Sequence, residues 1–162
     1  MTRAEHQQGT AVSAYLLLKF VHVTLAIVAV GFNASYGVWL ARAAQDPEQL
    51  PHVLRGIKTL DDWFANPAYA LLLVTGLAMV WVGDLDLGTF WLSTALGLYV
   101  LLVVLGAAGY TPVLRRQIRT LEESGPESEE FRRLMQRGQA LGGVLAVLVI
   151  VIVFLMVTKP TF

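Results

Sequence analysis

The 162-residue chain is 56% hydrophobic and only 15% charged, where an average soluble domain carries roughly a quarter charged residues. Twelve acidic and twelve basic side chains cancel, so net charge argues for no nucleic-acid partner. The absence of cysteine excludes disulfides, thiolate metal sites, cysteine-ligated clusters and covalent c-type haem attachment.

Residues 1–12 are short and polar, and we expect a loose terminus there. The first apolar segment, about 12–40, exceeds the roughly 20 residues a bilayer needs, so it predicts a tilted or overhanging spanning helix. Ala41-Arg-Ala43 resembles a signal cleavage site, but the apolar region is far too long for a signal core, and no removal is expected of a chain that starts at Met1. Asp46-Pro47 reads as a helix start, with Asp46 as the cap. Leu50, Val53, Leu54, Ile57, Leu60 and Phe64 then recur at helical spacing. This predicts an amphipathic helix at about 47–64 lying in the membrane surface, anchored by Trp63 and broken at Asn66-Pro67.

The second span is about 67–83, followed by a tight turn with two acids, Asp84 and Asp86. The third span is about 89–111, with Pro112 close behind. A charged loop, about 113–137, comes next. A new helix starts at Ser124 or Gly125 with Pro126, and runs on into the fourth span, about 139–157. Gly142-Gly143 allows close packing or a bend, and Lys159-Pro160 ends the helix. The fold class is thus an all-α, four-helix up-down membrane bundle in one domain.

Lysine and arginine set the expected orientation. Loop 1 has Arg42, Arg55 and Lys58; loop 3 has six arginines; the turn between spans two and three has none. The positive-inside rule places loops 1 and 3 in the cytoplasm and both termini outside. The arginines of loop 3 read as topology signal and anionic-lipid contact rather than as a nucleic-acid patch. Val38-Trp-Leu-Ala-Arg42 and Val113-Leu-Arg-Arg116 sit at matching places and suggest a parallel two-helix repeat.

Lys19 and His22 stand where a bilayer accepts neither cheaply. By steps of three or four, Ala26, Ala29, Asn33 and Gly37 share their face, with Leu25, Val28, Phe32 and Trp39 off it. Small residues there admit a neighbouring helix or a flat ligand. Thr75, Gly76 and Met79 on span two, Trp91, Ser93, Thr94 and Gly97 on span three, and Met156 on span four share the outer half. His22 is open to three roles: a neutral imidazole bonding a hydroxyl or carbonyl across the bundle, a metal or haem ligand, or a proton relay. Lys19 is an interfacial anchor that can snorkel, or a partner for a haem propionate. Met79 or Met156 could supply a second axial position, and Asn33 a bond to another helix. Haem b is the cofactor this set suggests, with His22 as the only metal ligand among histidines within a span. Any enzyme activity would then be that of a haem-dependent oxidoreductase. The competing expectation is a non-enzymatic permease or membrane-complex assembly partner. A permease would need a homo-oligomer, because four helices enclose little space.

Tyr15-x-x-x-Lys19-x-x-His22, Thr75-Gly-Leu-Ala-Met79, Trp91-Leu and Met156-Val-Thr-Lys159-Pro160 together resemble the uncharacterised bacterial membrane family known as domain of unknown function 2269. That resemblance implies a bacterial inner-membrane protein over nearly the whole chain. More distantly, Lys19-x-x-His22 looks like the first helix of HemJ-type protoporphyrinogen oxidases and CopD-type copper-resistance proteins. The HemJ likeness implies haem bound through His22 with Lys19 nearby. Val38-Trp-Leu-Ala-Arg42 lacks the later histidine of that pattern, and Trp91-Leu-Ser-Thr stands where those relatives tend to carry a lysine.

Overall fold

The computed structural model describes residues 3–160, with side chains from residue 12 onward. Four helices make up almost all of it: α1 (Arg3–Ala43), α2 (Pro47–Val82), α3 (Phe90–Ser124) and α4 (Glu129–Thr158). All four are long and apolar enough to cross a membrane, and short connections make consecutive helices run antiparallel. Helix α1 begins at Arg3, so the polar residues expected as a loose terminus continue it.

Local chemistry explains most of the boundaries. Asp46 is extended at the start of α2, with Pro47 in the first turn, as the dipeptide predicts. Its carboxylate accepts from the Gln49 side chain at 2.6 Å rather than from a backbone N–H. Helix α3 stops at Gly125, whose φ of 77° suits a residue without Cβ. The next helix starts later than the Ser124–Pro126 signal suggests. Ser128 is its cap, accepting from the Phe131 amide at 3.3 Å. The expected loop of residues 113–137 is therefore helical except around Gly125–Ser128. Gly142-Gly143 passes without a break, and α4 ends at Thr158 with Lys159 in the left-handed region.

Asn66-Pro67 does not break α2. Asp61–Ala65 forms a single wide turn of π type, and the helix runs through it. Leu105–Tyr110 does the same in α3, just before Thr111-Pro112. A wide turn loosens the regular ladder where proline has no N–H to give and its ring crowds the preceding turn. The two π turns fall on α2 and α3, which a parallel two-helix repeat would not pair with each other.

The consequence is length. Thirty-six residues of α2 extend about 54 Å, well beyond the roughly 30 Å of a hydrocarbon core. The expected surface helix at 47–64 is instead the projecting first part of α2. Its stripe faces protein, not lipid: Leu50, Leu54 and Ile57 pack with Tyr36, Ala43, Leu114, Leu121 and Phe131 in the main buried cluster. Leu54 and Leu114 are fully buried. Trp63 and Phe64 stay exposed. Arg55 bridges to Glu122 of α3 at 2.5 Å across the surface of this extension; an exposed pair of this kind contributes at most about 1 kcal/mol.

Towards the opposite end the bundle divides into two hairpins. Helix α1 packs along α2, and α3 along α4, while the second half of α2 and the first half of α3 approach closely at few points. At that end Lys159 lies 5.2 Å over the buried Trp91 ring and ties α4 to α3.

Candidate histidine site in the helix α1 and α2 interface

Residues of α1 at intervals of seven meet α2. The Tyr15 ring covers Gly83, where an added Cβ would lie 2.7 Å from the ring edge. The His22 ring covers Gly76, where an added Cβ would lie 3.2 Å from Cε1. Ala29, fully buried, packs with Ala68 and Leu72. Tyr36 is buried further along in the main cluster. Large rings on glycine and alanine on alanine let the two helices run close together. The small-residue face expected from His22 through Ala26 and Ala29 is thus a helix contact. Leu25 and Phe32 belong to it as well, packed on the two buried clusters, and Phe32 meets the Phe64 ring at 5.5 Å. Gly37 is exposed.

His22 is half-buried, and its Nδ1 lies 2.9 Å from Thr75 Oγ1. The Thr75 hydroxyl donates to the Leu71 carbonyl at 2.8 Å. One hydroxyl hydrogen serves one acceptor best, so the assignment that satisfies both bonds makes Nδ1–H the donor to Thr75. The Thr75 hydroxyl also lies 3.2 Å from the Leu72 carbonyl. In this tautomer Nε2 keeps its lone pair. No three His, Cys, Asp or Glu side chains cluster as a metal site among the described residues.

The other expected site residues separate. Lys19 is exposed about one turn from His22, and Met79 is half-buried about one turn beyond Gly76. Met156 is half-buried on α4, beside the buried Leu155. Asn33 sits about 16 Å along α1 from His22. It donates to the Ala29 carbonyl at 3.1 Å and to the Tyr69 hydroxyl at 2.5 Å. The Tyr99 hydroxyl donates to the Tyr69 carbonyl, joining α3 to α2. Ser93 donates to the Thr89 and Phe90 carbonyls at the start of its own helix.

A buried carboxylate on α2 was not anticipated. Asp61, buried at the π turn of α2, accepts from the Asn66 side chain at 3.2 Å. It acts electrostatically on the hydroxyls of Tyr36, Tyr69 and Tyr110. Lys58 is nearby but binds Asp62. The clue lay in the stripe itself: 50, 54, 57 and 61 fall on one helical face, so Asp61 shares the buried side. The Tyr36 hydroxyl is the one buried side-chain polar atom without a hydrogen bond among the described residues. A buried hydroxyl with no partner costs about 1–3 kcal/mol. Tyr36→Phe should therefore leave thermal stability in detergent unchanged or raise it by about 1 kcal/mol. A loss of similar size would show that the hydroxyl has a partner.

No curated protein and no solved structure matches the chain. A family model described as a predicted integral membrane protein matches residues 16–160. With four helices able to span a bilayer, and with that match covering the Lys19, His22, Thr75 and Lys159 segments alike, the chain belongs to the integral membrane family DUF2269.

Proposed function

We propose that the protein is a small haem-binding membrane redox protein in which His22 is the iron ligand. The observation that supports this is the state of the imidazole. Its Nδ1 is engaged by the Thr75 hydroxyl, which in turn is committed to the Leu71 carbonyl. Metal-binding histidines are commonly held in this way, one nitrogen fixed by a hydroxyl or carbonyl and the other left as a donor. The residues that would hold the group are a neutral imidazole for the iron and an exposed Lys19 for a propionate. Met79 and Met156 are the two thioethers left as candidates for a sixth position. Bound haem would supply one-electron exchange. The chain's own part is to orient the ring through Thr75 and to keep α1 and α2 close through Gly76. We place the protein in the bacterial inner membrane, with loops 1 and 3 and their nine lysines and arginines in the cytoplasm.

A second reading has its own support. His22 to Thr75 and Asn33 to Tyr69 are both bonds between α1 and α2. Polar side chains that bond across helices can serve as contacts alone. The protein would then be non-enzymatic, a small-solute permease acting as a homo-oligomer or an assembly partner in a membrane complex. The absorption spectrum separates the two. Protein purified from haem-replete membranes should show a Soret band, and His22→Ala should abolish it. Colourless wild-type protein would remove the haem proposal, and solute flux lost in Asn33→Leu would favour the second reading.

A further inference from the structure

We propose that the cleft between α3 and α4 at the arginine-rich end is a binding site for one anionic phospholipid. Arg116 and Arg137 would hold its phosphate, and its chains would lie along Ala108, Gly109, Val113 and Leu134. All six residues line one cleft. The arginines come from different helices, and the rest of that wall is apolar and leads into the span of α3. A second depression shares Pro112 and Arg116 with it and adds Arg115 and Arg119.

The arginines of this cleft stand outside the ion pairs of the region. The ion pairs among the described residues use Arg55, Lys58, Arg132 and Arg133, and Glu122 and Glu129 are committed to them. None of Arg115, Arg116, Arg119 and Arg137 has a carboxylate partner among those pairs. Both cleft arginines are exposed, and packing joins their helices right beside them. Gln117, next to Arg116, is buried and donates to the Leu134 carbonyl at 2.9 Å. Its amide fills the space over Gly138, next to Arg137, where an added Cβ would lie 2.5 Å from Nε2. The neighbouring residues of the two arginines are thus locked across the helix contact. Two guanidiniums lining one cleft with no acid paired to either invite a phosphate, which can take bidentate bonds from both. An apolar wall continuous with the membrane span selects a phosphate that carries acyl chains over a soluble one. The inference rests on membrane embedding and is independent of whether haem binds.

The test uses the full chain in detergent, with bound lipid read by native mass spectrometry. Phosphatidylglycerol should be retained at one per chain, and phosphatidylcholine with the same acyl chains at least about tenfold less well. Glycerol phosphate should not displace the lipid. Arg116→Gln with Arg137→Gln should lose the preference, while Arg132→Gln with Arg133→Gln, which removes the same charge elsewhere on the surface, should keep it. Equal retention of the two lipids by the wild-type chain would overturn the proposal without recourse to any variant. So would equal loss in both double variants, which would reduce the effect to net charge. Tight binding of glycerol phosphate would assign the site to a free anion instead.

Discussion

Gly76→Leu should lower thermal stability by roughly 3 kcal/mol, a large effect for a single change in the α1 and α2 interface. A bare Cβ at this position already approaches His22 Cε1 to 3.2 Å, so the rest of an isobutyl group has to take the space of the ring. The ring cannot yield freely, because Nδ1 is bonded to Thr75. Overpacking of this kind costs about 1–3 kcal/mol, and the lost bond between helices adds about 1 kcal/mol. Gly76→Ala should cost less than about 1 kcal/mol, since a few tenths of an ångström of ring movement accommodate it. Thermal denaturation in detergent measures both. If leucine were tolerated as well as alanine, the ring would not be held against α2.

Gly138 and Gln117 give the second large effect, and a cycle isolates it. Gly138→Ala should cost roughly 2 kcal/mol, because the new methyl group displaces the Gln117 amide from the Leu134 carbonyl and leaves buried polar groups without partners. Gln117→Ala alone should cost about 1–2 kcal/mol, for the lost bond and the space it opens. The double variant should be more stable than the sum of the two by about 1 kcal/mol or more, since the methyl group then enters vacated space. Strict additivity would show that the two residues do not share that space.

Much of this arrangement was legible in the residues. Apolar run lengths were enough for four spans, and matching depth along the chain put Thr75 and Gly76 level with His22, where the structure brings them into contact. The behaviour of Pro67 and Pro112 was not legible. Proline ordinarily ends or kinks a helix, and only the π turns ahead of each let α2 and α3 continue. The stripe through Leu50, Leu54 and Ile57 was legible as a stripe, but a helical period does not say whether lipid or protein covers it. The answer depended on Leu114, Leu121 and Phe131, which come from distant parts of the chain. Asp61 and Gln117 were missed for a related reason. Charged and amide side chains are assigned to the solvent side by default, and their burial follows from tertiary partners, Asn66 in one case and the Leu134 carbonyl in the other. No sequence period marks the Tyr36 hydroxyl as lacking a hydrogen bond, because that depends on neighbours from other helices.

The two ends of the molecule therefore divide the chemistry. The arginine-rich end has the main buried cluster, the π turns, Asp61 and the lipid cleft. The opposite end has thin packing between two hairpins and, among the described side chains, a single imidazole with one nitrogen fixed. The functional proposal rests on the other nitrogen. Haemin titrated into protein purified from haem-deficient cells tests it most directly. The account predicts saturable uptake at one haem per chain with a Soret band, lost in His22→Ala and retained in Asn33→Leu. No saturable uptake, or equal uptake by the His22→Ala variant, would contradict it.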